Sequence, residues 1–170
     1  MKNTKILVLG SNGKTGRRVV QRLEKIENIE IRLGSRNEKI PFDWEKPETW
    51  EKILQDINAV YITFQPDLAI PSAADIIRNF TLLATKAGVQ KIVLLSGRGE
   101  KEAQVCEEIV KTNAKNWTIV RASWFNQNFS ESIFLDPILA GIVALPRAEA
   151  LEPFVDADDI ADVVTASLLD

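Results

Sequence analysis

Gly10, Gly13 and Gly16 lie in the run Lys5-Ile6-Leu7-Val8-Leu9-Gly10-Ser11-Asn12-Gly13-Lys14-Thr15-Gly16-Arg17-Arg18-Val19-Val20. A strand-type sequence enters this glycine loop, and a helical pattern leaves it at once. Glycine is needed where the backbone turns at positive φ or lets a ligand come close. A helix that starts directly after such a loop aims unpaired N–H groups, and the positive end of its dipole, at the turn. That arrangement holds a pyrophosphate. The loop Gly10, Ser11, Asn12, Gly13, Lys14, Thr15 and Gly16 is therefore a candidate dinucleotide cradle, with spacing G-x-x-G-x-x-G rather than G-x-G-x-x-G. The other reading is a tight strand-to-helix turn without a ligand. Gly13-Lys14-Thr15 also matches the tail of a nucleoside-triphosphate P-loop. The first glycine of that motif falls on Val8, inside the strand, so the loop is too short to wrap a triphosphate.

Further candidate groups follow the apolar runs. After Ile29 to Gly34 comes Ser35-Arg36, with no acid at the strand tip. A carboxylate there favours a free ribose 2′-hydroxyl, whereas an arginine pairs with a 2′-phosphate. NADP, with NADPH preferred over NADH, is the expectation; the alternative for Arg36 is a solvated loop cation. Asp43 is placed to accept from an adenine amino group or to serve as a turn carboxylate. Thr63, Phe64 and Gln65 leave the run Ala59 to Phe64 where a doubly wound sheet places its ligand crevice. Ser96 ends the run Lys91 to Ser96. The exit from Trp117 to Arg121 holds Ser123, Trp124, Phe125, Asn126, Gln127, Asn128 and Phe129. These read as an apolar pocket with a few polar groups for a small-molecule acceptor near Trp124, Phe125 and Asn128, or as a core-packing loop.

Composition removes several chemistries. The chain has no histidine and one cysteine, Cys106. A histidine-based nucleophile triad, a histidine general base and a histidine-ligated metal are thereby excluded, and no metal site is expected. Asp156-Ala157-Asp158-Asp159-Ile160-Ala161-Asp162 suggests a carboxylate metal cluster at first sight. Aspartate is a preferred helix N-cap and acids suit the first turn, so the segment reads as a capped helix.

The elements that must position these groups alternate between strand and helix. Lys5–Leu9, Ile29–Gly34, Ala59–Phe64, Lys91–Ser96 and Trp117–Arg121 read as strands, and Lys39–Asp43 as a short edge strand that tolerates Pro41. Helices are expected over about Lys14–Ile26, from Pro47, over Ser72–Ala87 with Ser72 as cap and Gly88 as stop, over Glu100–Asn113, and over Phe134–Ile142 interrupted at Pro137. Unbroken apolar strands fit burial on both faces of a parallel sheet. The fold class is α/β, a doubly wound parallel sheet of Rossmann type in a single domain of 170 residues.

The net charge of −3 gives no reason to expect nucleic acid or an anionic membrane. No apolar run approaches the ~20 residues of a membrane span. The start passes straight into a strand, so no secretory signal is expected, and the single cysteine fits the reducing cytoplasm.

Together, the Gly10–Gly16 loop, Arg36, Phe42-Asp43-Trp44, Leu94 to Gly99, Trp117 to Arg121 with Ser123 to Phe129, and Phe154 to Val163 resemble the NmrA-like atypical short-chain dehydrogenase/reductases. The resemblance is to the branch of quinone, azo-dye and ergot-alkaloid-type reductases, and it covers nearly the whole chain. It implies NADP across the strand ends, with Arg36 beside the 2′-phosphate and the Ser123–Phe129 exit approaching the nicotinamide. Three departures stand out. Ala122 replaces the usual proline, relatives continue for roughly a hundred residues of substrate lobe, and Tyr-x-x-x-Lys is missing. The one tyrosine, Tyr61, is followed at the fourth place by Gln65. Ser96 matches the serine of ordinary short-chain dehydrogenases without their phenol, which favours acceptors whose proton comes from water. Some NmrA-like proteins bind NADP as redox sensors with a protein partner, and that non-catalytic role is the alternative.

Overall fold

A computed structural model describes residues 3–131, 134–144, 149 and 151–170. Five strands form one sheet: β1 (Thr4–Leu9), β2 (Ile29–Gly34), β3 (Ala59–Ile62), β4 (Lys91–Gly97) and β5 (Asn116–Ala122). All pairings are parallel, in the order β2-β1-β3-β4-β5. The helices are α1 (Lys14–Leu23), α2 (Trp50–Ile53), α3 (Ala73–Lys86), α4 (Lys101–Asn113), α5 (Leu135–Leu139) and α6 (Ala157–Leu169).

The strand sequences explain the two-sided burial. Side chains alternate across a strand. Leu7, Leu9, Val60, Ile62, Ile92 and Leu94 join a core with residues of α2, α3 and α4. Ile6, Val8, Tyr61 and Val93 join a second core with Val19 and Leu23 of α1 and Ile160, Ala161, Val164 and Leu168 of α6. Apolar residues at every position of Ile6–Leu9 in β1 and of β3 therefore serve two cores. The doubly wound parallel sheet predicted from these runs is the observed fold, a Rossmann-type α/β architecture. The strand order reverses at β1, with β2 added on one side and β3 on the other, which opens a crevice beyond the carboxyl ends of β1 and β3.

Several boundaries depart from the periodicity. Lys39–Asp43 is not a strand: the Phe42 amide donates to the Ser35 carbonyl at 2.9 Å, and Pro41 has no amide hydrogen to extend a ladder. Phe42 instead anchors an aromatic cluster with Trp44, Trp50, Phe64 and Phe80, at centroid distances of 4.8–6.0 Å. α1 ends at Leu23 rather than Ile26, and Asn28 turns the chain at φ 63°. Ser72 occupies the N-cap of α3, but its hydroxyl makes no capping bond. Gly88 closes that helix at φ +94°. Pro137 lies within the first turn of α5, where its missing N–H costs nothing, so the helix is not interrupted there.

The acidic segment at the start of α6 is a capping and bridging device. Asp156 accepts from the Asp158 amide at 2.8 Å, and Gln127 donates to Asp156 at 2.9 Å while accepting from the Ala157 amide at 2.8 Å. Arg18 of α1 donates to Asp158 at 2.9 Å and to Glu131 at 2.8 Å. Arg22 pairs with Asp162 and Asp158, and Arg17 with Glu131. The Arg18 guanidinium holds the Glu131 and Asp158 carboxyls below the usual carboxylate range. The Asp158 amide does the same for Asp156. Depressed folded-state values stabilise the fold above the unfolded carboxylate range, and that stability is lost as pH falls through the folded values. Thermal melts should therefore drop steeply in acid. A variant with Arg18→Met and Arg22→Met should show a flatter acid limb; identical limbs would remove the network from this role.

Candidate dinucleotide-binding cleft

Two cavities of about 650 Å³ and 690 Å³ adjoin along the carboxyl ends of β1 and β3, sharing Gly10, Gly13, Thr63, Gln65 and Pro66. They form one elongated cleft with the glycine turn at its middle. Gly10 sits at φ +62°, and a Cβ on it would lie 2.6 Å from Thr63 Cγ2. The Gly13 amide donates to the Gly10 carbonyl at 2.8 Å, which closes the turn. Gly16 has a different task. A Cβ there would lie 2.1 Å from the Gly10 carbonyl oxygen, so its lack of a side chain lets α1 meet the turn. Among the described residues, Arg17 is the only one of the first four residues of α1 whose amide has a backbone acceptor, the Gly13 carbonyl at 3.1 Å. The amides of Lys14 and Thr15, which line the cleft, have no backbone acceptor among the described residues and suit an anion.

The 690 Å³ end is lined by Asn12, Gly34, Ser35, Arg36, Asp43 and Trp44. Asn12 donates to the Ser35 hydroxyl at 3.1 Å, tying the turn to the tip of β2. Arg36 is exposed. Asp43 spends one carboxylate oxygen on the Glu45 amide at 3.1 Å, as a turn residue does, while still facing the cavity. Trp50 donates to the Asp43 carbonyl at 2.8 Å, so the aromatic cluster fixes this wall.

The 650 Å³ end is lined by Lys14, Thr15, Phe64, Ser96, Ser123, Trp124, Phe125 and Asn128. Burial lowers the Lys14 ammonium from its ordinary range, against an opposing pull from Glu131. Thr15 accepts a hydrogen bond from the Tyr61 hydroxyl at 2.9 Å. Tyr61 is fully buried, and that burial raises its phenol far above the ordinary value, so the one tyrosine is a packing residue. Trp124 is 43% exposed and stacks on Phe134 at 5.8 Å and 15°. Of the residues read as site candidates, Ser11, Gly16, Asn126, Gln127 and Phe129 line neither cavity. The Ser11 hydroxyl is buried and has no hydrogen-bond partner among the described residues.

Residues outside the sequence reading also reach this end. Arg98, Glu100 and Glu152 line it, and Ser123 donates to Glu152. The Glu100 carboxyl is pushed up, first by burial and then by Asp67 and Glu102. Glu107 of α4 accepts from Ser96 at 2.6 Å and from Arg121 Nε at 2.9 Å. No periodicity marks these acids. Glu107 sits among the buried positions of α4, and a charge on a buried helix face is the signal that points to it.

A parallel sheet with a glycine turn at its switch point, open helix amides and a two-part cleft defines a dinucleotide-binding domain. The chain belongs to the NAD(P)H-binding family, whose profile matches residues 10–170. It is 28% identical over 181 residues to prestalk A differentiation protein A of Dictyostelium discoideum, covering 97% of this chain and 60% of that protein. Its fold matches Citrobacter sp. triphenylmethane reductase complexed with NADP(H) at TM-score 0.80 and 16% identity, over 98% of this chain and 66% of that one. It also matches the NADPH-dependent quinone oxidoreductase of Escherichia coli at TM-score 0.74 and 16% identity, over 96% and 65%. The chain spans 60–62% of the length of the curated relatives it matches. No described helix is long and apolar enough to cross a membrane.

Proposed function

We propose that this chain is an NADP-dependent oxidoreductase that reduces a small conjugated acceptor of quinone, azo or iminium type. The observation that carries the reading is the two-part cleft: an arginine at the end where a ribose would lie, and an exposed tryptophan at the other. The glycine turn and the open amides of α1 suit the pyrophosphate, and Arg36 suits the 2′-phosphate. The bound nicotinamide supplies the hydride chemistry. Trp124 offers a planar face on which a conjugated acceptor stacks, and Asn128 adds an amide beside it. The fold neighbours, a dye reductase and a quinone reductase, support the same class.

The described part of α4 has no phenol, and Tyr61 is buried, so alcohol–ketone chemistry lacks its usual proton donor. Acceptors that take their proton from water escape that requirement. The same observation favours a second reading, an NADP redox sensor that binds a protein partner without turnover. Calorimetric titration with NADPH and NADH, followed by NADPH oxidation with a panel of quinones, azo dyes and iminium salts, separates the two. Micromolar NADPH binding with turnover of a panel member is the expected result. Binding without turnover, and a partner that distinguishes NADP from NADPH, would favour the sensor. No binding of either nucleotide would remove both.

A further inference from the structure

Ser96, Glu107 and Arg121 are joined beneath the 650 Å³ end of the cleft. Ser96 Oγ donates to Glu107 Oε1 at 2.6 Å. Arg121 Nε donates to the same oxygen at 2.9 Å, and Arg121 Nη2 to Oε2 at 2.5 Å. Glu107 has no exposed surface and Ser96 is 4% exposed. The Arg121 guanidinium, then the Ser96 hydroxyl, keep the Glu107 carboxyl below the usual range despite burial. An ionised carboxylate accepts hydrogen bonds and donates none. The Ser96 hydrogen therefore has a fixed destination. A hydroxyl has one hydrogen and two lone pairs. With the hydrogen held by Glu107, Ser96 turns only lone pairs to the cleft that it lines.

We propose that Glu107 fixes Ser96 as a hydrogen-bond acceptor, so that the ligand seated at this end presents an N–H or O–H group to Ser96 Oγ. This rests on the reading of the cleft as a cofactor and acceptor site. It makes Ser96 a recognition residue rather than a proton donor, and Glu107 a positioning residue behind it. A bare carbonyl oxygen facing Ser96 meets lone pair against lone pair and is disfavoured. Two groups can supply the hydrogen: the carboxamide NH₂ of the nicotinamide, or an amino or hydroxyl group on the acceptor.

Two matched ligand pairs identify the source, because each exchanges NH₂ for CH₃. One pair is NADP⁺ and its 3-acetylpyridine analogue. The other is 2-amino- and 2-methyl-1,4-naphthoquinone, followed by quenching of tryptophan fluorescence. The wild-type chain should bind the NH₂ member of one pair about tenfold more tightly. That ratio should fall to about one in Ser96→Ala and persist in Ser96→Thr, which retains the hydroxyl. In Glu107→Gln the amide nitrogen can donate to Ser96 and free its hydrogen, so the ratio should shrink or invert. Loss of fold weakens both members of a pair alike and leaves the ratio in place. A ratio near one in both pairs, or one that survives Ser96→Ala, overturns the proposal. If neither NADP⁺ nor its analogue binds, the cofactor reading fails, and the naphthoquinone pair alone decides the polarity of Ser96.

Discussion

Gly16→Ala should lower the melting temperature by roughly 6–12 °C, which corresponds to about 3 kcal/mol of overpacking in a chain of this size. The added methyl lies 2.1 Å from the Gly10 carbonyl oxygen and 2.7 Å from its carbon. Both are backbone atoms of the turn, so no side chain can swing aside. α1 must move away from β1, and the open amides at its start move with it. NADPH affinity should fall along with the melting temperature. Gly13→Ala is the control: its methyl would lie 3.1 Å from the same oxygen, a contact that a shift of a few tenths of an ångström relieves. Differential scanning calorimetry of the two variants measures the contrast, and equal melting temperatures would mean that Gly16 is not the packing hinge described here.

Arg36→Ala should weaken NADPH binding about tenfold to a hundredfold, the range for losing hydrogen bonds to a charged group, while NADH changes by about twofold or less. Arg36 lines the 690 Å³ end, is exposed, and forms no salt bridge among the described residues. Its guanidinium need not leave a protein partner to meet a 2′-phosphate. Titration of the variant with both nucleotides measures the difference. Equal losses for NADPH and NADH would show that Arg36 does not read the 2′-phosphate.

The strands were the most legible part of the sequence, because runs such as Ile6–Leu9 and Ile92–Leu94 are apolar at every position and only a sheet covered on both faces explains that. The cap of α6 was legible for a similar reason: aspartate at the start of a helix has a local role that survives any tertiary context. Lys39–Asp43 was misread because the alternation around Phe42 matches an edge strand as well as an aromatic anchor. The partners that decide between them, Trp44, Trp50 and Phe80, are fixed only when the chain folds. Gly16 was legible as an essential glycine but not as a packing residue, since G-x-x-G-x-x-G does not say which glycine meets backbone and which meets ligand. Ser96 was legible by itself, but its grouping with Glu107 and Arg121 was not, for a simpler reason. Its members come from β4, α4 and β5, and only sheet register and helix phase bring them together.

The bridges between Arg18 or Arg22 and the acids of α6 join residues 136–140 positions apart. One face of β1 and β3, carrying Ile6, Val8 and Tyr61, is covered by α1 and α6 together. During synthesis on a ribosome, the first strand emerges long before its second covering helix exists. At about 5–20 residues per second, that face waits on the order of ten to thirty seconds for residues 157–169. The nascent chain carries an open apolar sheet face through that interval, and a chaperone that grips apolar strands has its opportunity then. α6 thus sets the moment at which β1 becomes safe from aggregation.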